Sequence, residues 1–510
     1  MGSSTSTGLP QADPADGTPS RTLTDLLRER AAADPEGVAI VVDGRDPLTF
    51  GEWDRRADAA AHGLLRFKEP RLRRIALYFG GLDWIDYAVA YHAAQRVGAT
   101  TLHLNDTMPA EEIAHRLAEC GVNGIVHGSA LAPPAGSSGW TATLDDLDTG
   151  RHDPPAPAPR IDGIADILYT SGTTGRAKAI TVTHANMLFG RAKPTIDTLG
   201  NADHLLAAMP LGTSSSQGTA SLPLLSRSIL LVAPPEDPEQ IAALITRYAC
   251  GSIMITPATA LALVRARVHE RHDLGSVHTV TTASSAFPPA VARDLLAALP
   301  GASLAMAYTS LEASPAVTLH LFDPAKPLSM GHPAHGTELQ ITDEKQQPLP
   351  AGEVGEIWMR TAAPKRRYLD TDLDQRFNIG EWTRMTDLGR VDEDGELTFF
   401  DRAADAVRSG GALISSIAVE AELYEHPDVK EVAVIGTPDA ELGQAVTAVL
   451  VLTSPDRLPE VRAFAESRLR GAEVPAHYVL TGALPRSFLG KVLKRELRAR
   501  HGRPATGLPS

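Results

Sequence analysis

The sequence predicts an α/β protein in two unequal parts. A large N-terminal domain of layered α/β subdomains carries a β-rich subdomain, and a small α+β C-terminal domain follows. Three observations predict this. Strand-like and helix-like runs alternate from residue 73 onwards, the texture turns β-rich and turn-rich from about 336, and a short second α/β unit begins beyond 403. A length of 510 residues exceeds one ordinary core and suits two or three domains.

The elements follow in order. "RIALYF" reads as a strand, "WIDYAVAYHAAQRVG" as a helix, "TTLHL" as a strand, "PAEEIAHRLAEC" as a helix and "GIVHG" as a strand. Short β-rich runs separated by helical periodicity indicate parallel strands. Two Pro/Ala/Gly-rich stretches, "ALAPPAGSSG" and "RHDPPAPAPRIDG", read as surface linker. The alternation resumes with "HLLAAMPL", "SILLVAP", "PEQIAALITRYAC", "SIMITP" and "VHTVTTAS". "GTELQITDEKQQPLPAGEVGEIWMR" and "GRVDEDGELTFFDR" alternate apolar residues with acidic-Gly turns, as antiparallel hairpins do. The last unit offers a helix in "IAVEAELYEHP", strands in "VKEVAVIGTPD" and "AVTAVLVL", and a helix in "LPEVRAFAESRLR". The expected division is a disordered tail over 1–20, a large domain over 21–402, a small domain over 403–500 and a tail over 501–510. No fixed-period repeat is visible.

Composition narrows the function classes. With 43% apolar residues, 22% charged residues and a net charge of −14, the chain has a soluble globular balance and no basic excess for nucleic acid. No run approaches the roughly 20 apolar residues of a membrane span, and the polar N-terminus lacks the pattern of a secretory signal. Cys120 and Cys250 are the only cysteines, so neither a disulfide framework nor a cysteine-based metal motif is expected, and a cytoplasmic setting is the default.

"DILYTSGTTGRAKAITVTHAN", residues 166–186, is rich in hydroxyls and poor in bulk. Such a loop can present backbone N–H groups to phosphate. Thr170, Ser171, Thr173 and Thr174 add hydroxyl donors, Gly172 and Gly175 supply the turn, and Lys178 supplies a cation. The spacing departs from G-x-x-x-x-G-K-[ST], and a strand-like run rather than a helix follows. A polar β-hairpin turn is the plainer alternative.

"YTSGTTGRAK" resembles the signature loop Y-T-S-G-T-T-G-x-P-K-G of the adenylate-forming superfamily, which includes acyl-CoA synthetases, nonribosomal peptide adenylation domains and luciferases. Ala177 and Ala179 stand for its proline and last glycine. An ordered series strengthens the resemblance. "AMAYTSLEAS" resembles Y-G-x-T-E. This implies that Tyr308 stacks on adenine and that Glu312 holds Mg²⁺, with Thr309 and Leu311 replacing the glycine and threonine. "EWTRMTDLGRVDEDGELTFFDR" resembles x-R-T-G-D-L-G-R-x-D-x-D-G-x-L-x-F-x-G-R, implying that Asp387 binds the ribose hydroxyls and Arg402 reaches ribose and phosphate. "LPRSFLGKVLKRELR" resembles L-P-[RK]-T-x-[ST]-G-K-[IV]-x-[RK]-x-x-L-R, implying that Lys491 bridges ATP and the acid. A basic helix face is the plainer reading of that segment. "LTFGEWDRRADAAAHGL", "GATTLHLN", "PAGEVGEIW", "VKEVAVIGTPDAELGQAV" and "EVPAHYV" also match in order, so the resemblance spans roughly residues 20–500.

The resemblance implies a two-stage reaction with a mobile small domain: an acid attacks ATP, then a nucleophile displaces AMP. Residues for the first stage are kept, whereas "DRAADAVRSGGALISSIAVE" departs from G-R-x-D-D-x-[IV]-K-x-S-G-G-E-N-I-x-P-x-E-[IV]-E at Ala404, Ala412, Leu413 and Ala418. Gly410 and Gly411 remain. Adenylation is therefore expected to be intact and thioester formation altered. In the acid pocket, "PLGTSSSQGTA" replaces P-L-F-H and "TTASSAFPP" replaces a G-G-A-P stretch, so Thr213, Ser214, Ser284 and Phe287 are expected to line it, with Ser215 and Ser216 nearby. No acidic residue lies between His204 and Leu230 to pair with an α-ammonium, so a small or polar acid is expected rather than an α-amino acid. Three functions stay open: an AMP-forming ligase passing the acyl group to CoA, a carrier-protein thiol or an amine; a diazotase-like enzyme activating nitrite for an aryl amine; and a silent adenylate-binding protein.

Overall fold

A computed structural model describes residues 21–67, 73–135, 139–156, 159–170, 176–190, 202–282, 287–334, 336–487 and 490–502. The expected tail over 1–20 lies outside the described residues, and the last helix, Lys494–His501, runs one residue beyond the expected end at 500.

Among the described residues three sheets carry the fold. In the seven-stranded sheet, Arg74–Phe79 lies between Thr100–Asn105 and Gly124–His127, all parallel. Ile164–Tyr169 joins beside Thr100–Asn105, and Ala179–Thr183 returns antiparallel to it. Between the two Pro-rich stretches, Trp140–Ala142 adds a parallel edge strand and Leu144–Leu147 one short helix.

A fourteen-stranded sheet begins with parallel strands, among them Ile229–Val232, His204–Ala208, Ser252–Ile255, Thr279–Thr282 and Ser303–Tyr308. It continues into antiparallel strands through Ser329–Pro333, which pairs with Leu397–Arg402. The β-rich stretch expected from residue 336 is thus hydrogen-bonded onto the α/β layer. Residues at the end of the last parallel strand and on the β-rich strands are thereby fixed relative to one another.

The helix Trp84–Arg96 explains how the first two sheets pack. Every residue in it except Asp86 is buried, and its apolar side chains share one cluster with Ile75 and Leu77 of one sheet and Leu205 and Leu230 of the other. A helix that is apolar nearly all round belongs inside a core. Arg96, its last residue, is 1% exposed and is neutralised by Asp54 and by Asp58 at 2.7 Å. A buried charge left unpaired would be costly.

The third sheet is drawn from residues 407–480, with Val429–Asp439 and Gly443–Leu452 at its centre. Val434, Val446 and Leu450 pack against Val419 and Leu423 of the helix Ser416–Tyr424 and Val461 of Leu458–Arg468. Val407–Ser409 and Ala412–Ile414 form a hairpin whose turn residues, Gly410 and Gly411, have φ of 56° and 84°. A two-residue hairpin turn of this hand requires left-handed backbone at both central positions, which explains both glycines.

One residue breaks the backbone rule beside the expected site. Thr386 has φ of 59° at an irregularity where Trp382–Val391 pairs with Gly355–Thr361. The β-branched side chain sits where the family pattern T-G-D has glycine, and its carbonyl accepts the Ala403 N–H at 3.2 Å. Left-handed backbone costs an ordinary L-residue about 1–2 kcal/mol, against about 0.5–1 kcal/mol for the extra chain entropy of glycine. Thr386→Gly should therefore raise stability by about 0.5–1 kcal/mol, seen as a higher thermal midpoint; an unchanged or lower midpoint would show that Thr386 carries no such strain.

Candidate active site

The strands that flank the Gly/Ser/Thr-rich segment, Ile164–Tyr169 and Ala179–Thr183, form an antiparallel pair. Tyr169 pairs with Ala179, the Thr170 N–H donates to the Lys178 carbonyl at 3.1 Å, and the Lys178 N–H donates to Thr170 Oγ1 at 3.1 Å. These bonds close the neck of the loop. Ser171, Gly172, Thr173, Thr174 and Gly175 lie outside the described residues. The Lys178 ammonium lies 4.3 Å from the centre of the Phe377 ring and 6.0 Å from that of Tyr368. Burial holds its pKa below the usual lysine value, opposed by the charge of Glu312.

Glu312 follows the last parallel strand, and the Tyr368 hydroxyl donates to its Oε1 at 3.1 Å. Tyr308 ends that strand, is 8% exposed, and donates its hydroxyl to Asp387 Oδ2 at 2.9 Å. Asp387 and Arg402 are direct partners on adjacent antiparallel strands, so the β-ladder itself sets their separation.

Lys491 arrives from the far end of the chain. Arg486 and Val492 bridge the two arms of a tight turn, and the Ser487 N–H donates to the Lys491 carbonyl at 2.8 Å. Gly490 has φ of 77°, and a Cβ there would lie 3.5 Å from Ala258, so this turn reaches the large unit. A cavity of about 270 Å³ opens where the two parts meet. Tyr308, Asp387, Arg402 and Lys491 line it together with apolar residues such as Pro257, Leu261 and Val291.

The electrostatics follow from that low-dielectric setting. Burial, helped by the Arg402 charge, pulls Lys491 down to about 8, while Asp387 and Glu312 oppose the shift. Burial pushes Asp387 up to about 6, against the Arg402 charge and the Tyr308 hydrogen bond. Near neutral pH a carboxylate and an ammonium therefore face each other in the cavity.

The hydroxyls of the serine-rich segment organise a helix start. Thr213 caps the helix Ser214–Ala220. Its Oγ1 accepts the Ser216 N–H and donates to the Pro210 carbonyl, both at 3.1 Å, while its own N–H donates to Ser216 Oγ at 2.9 Å. Ser214 and Thr213 border a void of about 20 Å³ with His103 and Thr170, room for about one water. Phe287 is 5% exposed and belongs to the apolar cluster of Val291, Leu304 and Met306, not to the lining of the large cavity. Ser284 lies outside the described residues.

Sequence reasoning missed Tyr368 and Phe377, which flank Lys178 and Glu312 without any motif spacing to betray them. It also missed a buried polar network behind the serine-rich helix. Tyr91 donates to Asp166 Oδ2 at 2.9 Å, Gln217 donates to Tyr91 at 2.9 Å, and His103 lies 3.2 Å from Asp166.

A cavity lined by a paired Asp and Arg, a tyrosine and a lysine from a separate C-terminal unit is the arrangement an adenylate-forming ligase needs. The chain belongs to the AMP-binding enzyme family: residues 27–369 match the AMP-binding enzyme model and residues 418–491 its C-terminal domain. It is 28% identical to a feruloyl-CoA synthase of Amycolatopsis over 486 residues, covering 93% of this chain and 98% of the relative. The fold matches an anthranilate CoA ligase crystallised with anthranoyl-AMP at a TM-score of 0.84, with 21% identity and coverage of 94% and 97%. It also matches an amide bond synthetase from Marinactinospora thermotolerans at a TM-score of 0.78, with 22% identity and coverage of 94% and 99%. The protein is thus an AMP-forming acid ligase by family, and among its described residues no helix is long and apolar enough to cross a membrane.

Amine-directed acylation followed by mass spectrometry should find Lys491 half-maximally reactive near pH 8. Because the Asp387 carboxylate supports the ammonium, Asp387→Asn should move that midpoint lower; an upward move would contradict the assigned field.

Proposed function

We propose that this protein uses ATP to activate a small or polar carboxylic acid as an acyl adenylate and then passes the acyl group to CoA, a carrier-protein thiol or an amine. The observation that carries this reading is the meeting of Lys491 with Asp387 and Arg402 in one cavity. The helix-proximal turn of the small unit brings the cation to the acid–base pair of the large one.

In the proposed first step a carboxylate oxygen of the acid attacks the α-phosphorus of ATP. The bond from that phosphorus to the bridging oxygen breaks, and pyrophosphate leaves. Asp387, a carboxylate above about pH 6, can accept both vicinal ribose hydroxyls. Tyr308 would bound the adenine side, and its hydroxyl already holds Asp387 in place. Arg402 would reach ribose and phosphate, and Lys178 with the loop from Thr170 to Gly175 would hold the outer phosphates. Lys491, an ammonium below about pH 8, would stabilise the charge growing on the α-phosphate and the incoming oxygen.

Magnesium fits this donor set as an ion shared with ATP. Among the described residues no group of three acidic, His or Cys side chains could hold a metal alone. Glu312, oriented by Tyr368, is the carboxylate available beside the phosphate loop. When bound, the ion would supply charge neutralisation to the triphosphate. The missing threonine at Leu311 leaves that end of the site with one hydroxyl fewer.

In the proposed second step the acceptor's thiol or amine attacks the acyl carbonyl carbon and AMP leaves. A CoA acceptor is suggested by the feruloyl-CoA synthase relative, an amine by the likeness to the amide bond synthetase.

The test is Mg·ATP-dependent pyrophosphate release against short acids, aryl acids, amino acids and nitrite, each with and without CoA or an aryl amine. Release with a carboxylic acid is expected. Release with nitrite alone would replace the reading with nitrite activation, and none with any acid would sink it. Removing one preorganised donor of this kind costs about 2.7–4 kcal/mol in other enzymes. Lys491→Ala should therefore slow pyrophosphate release by at least about a hundredfold. The parent's kcat/KM should rise through a pH of about 6, as Asp387 ionises, and fall through about 8, as Lys491 loses its proton.

A further inference from the structure

The cavity at the seam between the two parts is lined by further charged residues, Asp401, Glu420 and Lys494, outside the roles given above. Asp401 is 0% exposed and is the penultimate residue of the strand Leu397–Arg402, just ahead of the crossover at 403–405. It stands where the family pattern x-G-R has glycine. Its Oδ2 accepts two bonds from the small unit: the Ser416 N–H at 2.6 Å and the Ser416 hydroxyl at 2.7 Å. Ser416 is also 0% exposed.

That hydroxyl is itself an acceptor on its other side. Lys494 Nζ donates to Ser416 Oγ at 2.7 Å and pairs with Glu420 at 2.6 Å. Lys494 is three residues after Lys491 and opens the helix Lys494–His501. An unbroken chain therefore runs from the large unit through Asp401, Ser416 and Lys494 to the segment that delivers Lys491. Ser415 adds a parallel bond from its Oγ to the Phe400 carbonyl at 2.5 Å.

We propose that Asp401 is a positioning residue for Lys491: through Ser416 and Lys494 it clamps the small unit in the orientation that puts Lys491 in the cavity, and it opposes the swing away from it. This rests on the adenylation reading only for its catalytic consequence. The physical ground is the asymmetry of buried charge. Two units closed over an apolar seam can part at modest cost, but parting here would strip a fully buried carboxylate of both Ser416 donors. The surface pairs across the same seam, Arg265 with Glu431 at 3.5 Å and Arg293 with Glu425, are partly exposed and contribute little by comparison. The clamp also bears on the acceptor. A nucleophile that can reach the acyl adenylate with the small unit in place is served by it, whereas one that needs a rotated small unit is hindered.

The test measures the distance between the two parts directly. Cys120 and Cys250 are both buried, so spin labels can be directed to Lys345→Cys and Glu466→Cys, exposed sites on the large and small units. The parent should give one narrow distance distribution. Asp401→Gly should add a second, broad population, and Ser416→Ala, which removes only the hydroxyl relay, should do the same if the first variant fails to fold. In the same variants kcat for pyrophosphate release should fall about a hundredfold, with KM for ATP close to the parent value, since misplacing a positioned group by about 1 Å costs on that order. Two populations in the parent, or a single unchanged one in both variants, would overturn the clamp. The distance measurement needs no turnover, so it judges the clamp separately. Absence of pyrophosphate release with every acid would instead remove the adenylation reading and leave the distance result standing.

Discussion

The candidate site depends on keeping charge in a place that water has largely left. Lys491, Asp387 and Arg402 come from well-separated segments and share a cavity with apolar walls such as Leu261 and Val291, where the charge of Glu312 also reaches Lys491. Separated, each would be an ordinary solvated group. Brought together, the lysine falls to about 8 and the aspartate rises to about 6, which leaves a window around neutrality in which both are charged. The sheet supplies one half of this arrangement, since Asp387 and Arg402 are ladder partners. The other half exists only while the small unit stays docked, which is why the contacts at 401 and 416 matter as much as the cavity itself.

Much of this was legible in the sequence because the relevant signals are local. The strand Arg74–Phe79, the helix Ala110–Glu119 and the hairpins after 336 announce themselves by period and turn chemistry. The residues expected to face a nucleotide follow from an ordered series of motifs, and the structure brings Tyr308, Asp387, Arg402 and Lys491 to one cavity. What escaped was long-range or ambiguous. Tyr368 and Phe377 meet Lys178 across roughly two hundred residues of chain, with no spacing rule to connect them. Thr213 and Ser216 have the residue types of a polar pocket and equally those of a capping box, and the hydrogen bonds follow the capping box. Phe287 is expected at the pocket from its place in the stretch that replaces G-G-A-P, and it packs in the apolar core.

The departures around the crossover also change meaning once the fold is visible. Gly410 and Gly411 are required by a tight hairpin turn, whatever else passes near them. Ala404 removes a carboxylate from the pattern's hinge position, and Asp401 places one three residues earlier, turned inward onto Ser416. In the proposed account the charge at the crossover is relocated rather than lost, and its new position ties the two parts together. That makes acceptor choice a question of geometry as well as chemistry: the second nucleophile must reach the acyl carbonyl past a small unit that is held in place.

The most direct test of the account is whether Asp387 meets a ribose in this cavity. Calorimetric titration with AMP and with 2′-deoxy-AMP isolates the hydroxyl a carboxylate would accept. A hydrogen bond to a charged group contributes about 1.5–3 kcal/mol, so AMP should bind the parent protein about tenfold tighter or more. That preference should vanish in Asp387→Asn. Equal binding of the two nucleotides by the parent, or a preference that survives the substitution, would contradict the assignment of this cavity as the nucleotide site.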